Sequence, residues 1–220
     1  DGENDNYICQ LIRKDLLDDF IKYIEQNYYP VDSTVQPSIF ETNNLFLKRN
    51  PTLLEYSMFY DSFKIFSYII LNKAQLTPYL WTIAIHSNNE DNIKFLIQNC
   101  INPEDETYEQ QLKESIKCHH NSITKFIQSN LLEESIEIFN QENEFYFNIY
   151  SYCFHYRNFF FFPKDYNQKY MFFYLCYYDY YTLIDFYLKV KTIDINNTIP
   201  AIVSNILNSV LLLMFMIFYC

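Results

Sequence analysis

Glycine occurs once in 220 residues, at Gly2, and that fact removes whole classes of fold and chemistry. The phosphate loops of dinucleotide-binding and P-loop proteins need glycines at fixed spacing, so neither can be built here. Hairpins closed by Asn-Gly or Asp-Gly turns are equally out of reach, which disfavours many all-β folds. Alanine is nearly as scarce, at Ala74, Ala84 and Ala201, while Asn, Ile, Lys, Phe and Tyr abound. We read this as the imprint of an AT-rich coding sequence. Half the residues are apolar, including 22 Tyr and 21 Phe, so the chain can bury a sizeable core and is not of disordered composition.

Helices remain, and the apolar pattern places them in pairs. Residues 6–27 carry Ile8, Leu11, Ile12, Leu16, Phe20, Ile21 and Ile24 near a 3.6 period, with a turn predicted at Arg13-Lys14-Asp15. Tyr29-Pro30 breaks the pattern, and residues 30–50 read as a connector in which Pro37 is placed to start a short helix at Ser38. A short helix is predicted from Leu53 to Phe59, then a polar turn at Asp61-Ser62. A second helix follows with Phe63, Ile65, Phe66, Tyr68, Ile69 and Ile70.

Residues 79–99 repeat the plan, with Trp81, Ala84 and Ile85, a turn at Ser87-Asn88-Asn89, then Ile93, Phe95, Leu96 and Ile97. A weaker copy has Leu112, Ser115 and Ile116, a turn at His119-His120-Asn121, then Ile123, Phe126 and Ile127. Another spans 170–188, turning at Asp179-Tyr180. The copies start near 52, 79, 110 and 170, in steps of 27, 31 and 60, which implies a degenerate unit within 140–169. One short helix pair cannot bury its apolar face alone, so such pairs stack into a solenoid. The expected fold is all-α, a helical repeat solenoid of stacked helix-turn-helix pairs. Residues 1–50 are expected to form an N-terminal helical capping region, 51–196 the degenerate repeats, and 197–220 an apolar tail.

These units resemble the ankyrin repeat, whose consensus reads T-P-L-H-x-A-A-x-x-G-H-x-x-V-V-x-L-L-L-x-x-G-A. In residues 52–74 the match runs through Thr52, Leu54, Ser57, Ile65-Phe66, Tyr68-Ile69-Ile70 and Ala74. In 79–101 it runs through Ala84, Ile93 and Phe95-Leu96-Ile97, and Ile193-Asp194-Ile195-Asn196 resembles the Asp-x-Asn after a unit. Every consensus glycine is replaced. Residues 1–196 also resemble a group of divergent ankyrin-type proteins of protists that carry an ankyrin-like domain of unknown function. The segments Pro37-Ser38-Ile39-Phe40-Glu41-Thr42-Asn43 and Glu114-Ser115-Ile116-Lys117-Cys118-His119-His120-Asn121 are typical of that group. The resemblance implies a protein–protein interaction scaffold and carries over no catalytic residue. It places the recognition surface on the inter-repeat loops and the exposed face of each first helix. The candidate protein-binding residues are Tyr56, Phe59, Tyr60, Ile83, His86, Ser87, Glu114 and Lys117.

The residues themselves argue little chemistry. A net charge of −11 repels phosphate backbones, so nucleic acid is not expected as a partner; the charge suits solubility or a basic partner. The six cysteines are widely spaced, without a C-x-x-C pair, and no apolar signal segment opens the chain. Free thiols in a reducing cytosol are therefore expected. Cys118-His119-His120 lacks a second ligand pair nearby in sequence, with His86 and His155 single, so it is read as a repeat turn and no metal site is expected. Paired carboxylates such as Asp18-Asp19, Glu104-Asp105-Glu106 and Glu133-Glu134 are read as solvated faces. No catalytic residue, cofactor or small-molecule substrate is expected. The 22 Phe and Tyr within 145–187 are read as repeat core in preference to an interaction surface.

The tail is charge-free after Asp194. Residues 202–220 average about 2 on a hydropathy scale, as transmembrane segments do. Asn205, Asn208, Ser204 and Ser209 in its first half weigh against insertion, and no basic residue follows it. The alternatives are a membrane anchor through residues 199–220, which would make the chain a tail-anchored adaptor with its repeats facing the cytosol, a helix covering the last repeat, or a non-native tail.

Overall fold

The computed structural model describes residues 2–104, 107–132, 144–161 and 168–190. The chain divides into two compact units, Asp1–Ile138 and Phe139–Cys220. The described residues are helical and hold no strand, only an isolated bridge between Thr34 and Thr52. No helix among them is long and apolar enough to cross a membrane. The apolar tail and the Asp-x-Asn at 194–196 lie outside them.

The first unit contains four helix pairs: α1 (Tyr7–Arg13) with α2 (Leu17–Gln26), α4 (Leu53–Phe59) with α5 (Phe63–Leu71), α6 (Leu80–His86) with α7 (Glu90–Gln98), and α8 (Glu109–Lys117) with α9 (Asn121–Asn130). We call them pairs one to four. A short α3 (Asn44–Lys48) lies between the first two. First helices pack on first helices, α1 on α4, α4 on α6 and α6 on α8, while α2 packs on α5. Residues 1–50 thus supply a full helix pair that joins the same stack. Ser38 starts no helix. The short helix forms six residues later, where the Asn43 side chain accepts from the Leu45 amide at 2.9 Å and so caps it.

The interior follows the predicted period in large part, though Leu16, Phe63 and Ile97, expected on the apolar faces, are exposed. Leu53, Leu54, Met58, Ile65, Ile69, Trp81, Ala84, Ile85, Ile93, Leu96, Leu112, Ile116, Ile123 and Ile127 are all buried. Trp81, fully enclosed, donates its indole N–H to the Ile101 carbonyl at 2.7 Å, tying the end of pair three to its first helix. A capping box starts α4. The Glu55 amide donates to Thr52 Oγ1 at 3.1 Å, and the Thr52 amide donates to Glu55 Oε2 at 2.8 Å. Arg49 satisfies the other oxygen of this buried carboxylate at 2.8 Å.

Helix ends of this kind normally finish on glycine in the left-handed region. Here the residues at those places are Asp15 (φ 49°), Asp61 (54°), Asn88 (57°) and His119 (58°) after the first helices, and Tyr28 (50°), Lys73 (63°) and Cys100 (54°) after the second. Most close as Schellman turns. Asp61 N–H donates to Met58 O and Ser62 N–H to Ser57 O; His119 N–H donates to Ile116 O and His120 N–H to Ser115 O. Lys73 N–H donates to Ile70 O and Ala74 N–H to Ile69 O, and the ends at Tyr28 and Cys100 do the same. Within a pair the two left-handed residues are 12 apart in two cases, 61 to 73 and 88 to 100, and 13 apart in the first, 15 to 28. Asp, Asn and His are the non-glycine residues that tolerate this region best.

Consecutive pairs are joined at equivalent backbone atoms. The carbonyl three residues before each first-helix turn accepts a side chain from the next pair: Ser62 Oγ donates to Ile12 O, Asn92 Nδ2 to Met58 O at 3.1 Å, and His120 Nδ1 to Ile85 O at 2.7 Å. The Asp15 carboxylate adds a cap across the first junction, accepting the Lys64 and Ile65 amides at 3.1 and 3.0 Å, the orphan donors at the start of α5.

The second unit contains α10 (Glu144–His155), a 3₁₀ turn (Phe159–Phe161), α11 (Gln168–Tyr177) and α12 (Tyr181–Val190). Its core is Phe154, Tyr174 and Leu175, with Met171, Tyr178, Tyr180 and Ile184 against it. Phe154 and Tyr174 stack at 4.9 Å, and Tyr180 Oη donates to the Phe154 carbonyl. The aromatic run therefore supplies core, while Phe160, Tyr177, Tyr181 and Phe186 remain exposed. The turns at Arg157 (φ 58°) and Asp179 (φ 55°) are also left-handed. Helix α10 and its Arg157 turn stand where the degenerate unit is expected. The second half of that unit falls partly on 162–167, outside the described residues.

Candidate functional site

The C-terminal ends of α4, α6 and α8 follow one another along the stack, and six of the eight candidate residues lie there, half-buried: Phe59, Tyr60, His86, Ser87, Glu114 and Lys117. The other two are corrections. Tyr56 and Ile83 are 0% exposed. Ile83 lies on α6, which packs against both α4 and α8. Tyr56 is covered because the connector folds back over it. Phe46 of α3 lies 5.3 Å from its ring, and Arg13 Nη1 donates to its hydroxyl at 2.6 Å. Neither can serve as a docking contact.

The remaining six form two groups. Phe59 and Tyr60 pack at 4.8 and 6.5 Å from Phe46, with the Arg13 guanidinium 5.8 Å from the Tyr60 ring centre. Arg13 also pairs with Glu3 at 2.9 Å. The chain's own N-terminal segment therefore occupies part of this edge.

The second group is polar and bridges pairs three and four. His86, the last residue of α6, donates Nε2–H to Glu114 Oε1 at 2.8 Å, and Lys117 Nζ reaches the same oxygen at 2.7 Å. Cys118 Sγ lies 3.6 Å from His86 Nε2 and 3.8 Å from Nδ1. Glu114 and Cys118 are four residues apart, so one turn of α8 aims both at His86. The environment charges the pair. Burial alone would pull the imidazole down, but the hydrogen bonds to Cys118 and Glu114 outweigh it and raise it to about 9. The bond from His86, helped by Lys117 and opposed by burial, holds the Glu114 carboxyl down to about 2.

Chemically, the cluster offers one nitrogen, one sulfur and one carboxylate donor. The thiol sits nearer the ring nitrogen that Glu114 already uses. In a nucleophilic Cys–His arrangement, the base takes the thiol proton on one nitrogen and is oriented through the other. Elsewhere, burial pushes the Cys9 and Cys153 thiols up to about 12, which keeps them protonated.

Arg13, Phe46 and Cys118 were not among the sequence candidates. The sequence drew attention to Cys118 only within Cys118-His119-His120, read there as a repeat turn. No protein-family model, curated protein or solved structure matches the chain.

Proposed function

We propose that the helix pairs form an ankyrin-type solenoid whose first-helix edge binds another protein in the cytosol, without catalysis, cofactor or small-molecule substrate. The observation that carries this reading is the recurrence of one junction. At three successive turns the equivalent carbonyls, Ile12, Met58 and Ile85, each accept a side chain from the following pair. A stack in fixed register presents the ends of its first helices side by side, and a row of half-buried aromatic and charged residues there suits recognition better than a single pocket does. Five free cysteines among the described residues fit a reducing compartment.

Site-specific photo-crosslinking in cells tests the reading. A crosslinking residue at Ser87 or Lys117 is expected to capture a defined protein, whereas one at Lys64 or Lys94, exposed on the second helices, captures none. Equal capture from both faces, or capture from the second helices only, contradicts it.

A further inference from the structure

We propose that His86, Glu114 and Cys118 form a binding site for one Zn²⁺-class divalent cation, which clips pair three to pair four. The three donor atoms lie within 4.8 Å of one another. A mixed imidazole, carboxylate and thiolate set is what a borderline-soft divalent cation selects. Two of the three donor-to-donor distances can be set against those of a tetrahedral site. A zinc ion about 2.0 Å from a ring nitrogen and about 2.3 Å from a thiolate holds those atoms about 3.5 Å apart. Cys118 Sγ and His86 Nε2 stand 3.6 Å apart. A carboxylate oxygen in the same shell would sit about 3.3 Å from the nitrogen, so the 2.8 Å contact between His86 and Glu114 has to open by only about half an ångström. Cys118 Sγ is almost equidistant from the two ring nitrogens, 3.6 Å from Nε2 and 3.8 Å from Nδ1, so the imidazole has to turn for Nε2 to serve as the single ligand atom.

The side chains of His86 and Glu114 are 22% and 25% exposed, so solvent reaches the site and supplies the fourth ligand. Lys117 is the built-in competitor, because its ammonium holds the carboxylate oxygen that the cation would take. His120, whose Nδ1 donates to the Ile85 carbonyl, is not among the side chains whose ligand atoms converge there. The site goes beyond the scaffold reading and does not depend on the identity of any partner.

The test is titration of the reduced full chain with Co²⁺, followed by displacement with Zn²⁺. The expected result is a thiolate-to-cobalt charge-transfer band saturating at one equivalent and bleached by Zn²⁺. It should be absent in Cys118→Ser, shifted to at least tenfold weaker binding in His86→Gln and Glu114→Gln, and retained in Cys100→Ser. Lys117→Gln should bind roughly tenfold tighter, because a positive charge beside the cation is gone. A merely structural cluster would not give that gain. A band that survives in Cys118→Ser, or no band at all, overturns the proposal. Should Cys118→Ser fail to fold, alkylation of Cys118 in the unaltered chain decides. Zn²⁺ is expected to slow it at least tenfold, and an unchanged rate overturns the site.

Discussion

His86 on α6 and Glu114 on α8 are 28 residues apart in sequence and 2.8 Å apart in the fold, as a charged pair across the junction of pairs three and four. Its contribution to stability has a definite pH window. His86 is raised from 6.5 to about 9, so its share is complete below about 6.5 and lost as pH rises through about 9. Glu114 is lowered from 4.5 to about 2, so its share is complete above about 4.5 and lost as pH falls through about 2. Both are present between about pH 4.5 and 6.5. With chelator present, Glu114→Gln is expected to destabilise the chain by about 1–2 kcal/mol near pH 5.5. The difference should shrink towards pH 9.5, as measured by urea unfolding across that range. A pH-independent difference would show that the pair is not ionised as described.

The left-handed turns carry strain that glycine would relieve. Lys73 and Cys100 are the informative positions, both exposed and both at positive φ. Lys73→Gly and Cys100→Gly are each expected to stabilise by about 1 kcal/mol, seen as a higher thermal midpoint. Asp15→Gly relieves the same strain but removes the cap on Lys64 and Ile65, so it is expected to be neutral or destabilising by about 1 kcal/mol. Loss of stability in Lys73→Gly would mean that its turn does not adopt the left-handed form.

Asn92 donates to Met58 O, Asp61 Oδ1 and Ser87 Oγ at 3.1, 3.1 and 2.9 Å. Asn92→Leu keeps the side-chain size and removes all three. A loss of about 1–3 kcal/mol is expected, with hydrogen exchange quickening at the turns of pairs two and three first. An unchanged midpoint would remove the junction from the account.

Trp81 is the only tryptophan, and it is fully buried. Its fluorescence therefore reports directly on pair three. Trp81→Phe forfeits the bond to Ile101 and some volume and should cost about 2 kcal/mol; Trp81→Ala should cost about 3–5 kcal/mol. Equal midpoints for the two variants would mean that the interior there is not tightly packed.

Much of this fold was legible because short helices separated by polar turns leave a clear period. The turns expected at Asp61, Asn88, His119 and Asp179 fall where the left-handed residues stand, and α4 begins and ends at the expected residues. The turns at Tyr28, Lys73 and Cys100 gave no such signal, because a tyrosine, a lysine and a cysteine do not announce positive φ. The burial of Tyr56 was illegible for a different reason. It depends on a connector folding back so that Phe46 meets α4, and no local pattern encodes that return. The cluster at His86 depends on the stacking register, which sets residues 28 and 32 positions apart against each other. Spacing along the chain shows His86 as a lone histidine.

The binding claim is tested most directly by affinity for the partner captured at Ser87 or Lys117. Equilibrium binding should be measured for the unaltered chain, for a Phe59→Ala, Ser87→Arg, Lys117→Glu variant, and for a Lys64→Glu, Lys94→Glu control. A loss of at least a hundredfold is expected in the first variant and a change within about twofold in the control, with both folded by circular dichroism. Equal effects of the two variants, or loss only in the control, would contradict recognition through the first-helix edge.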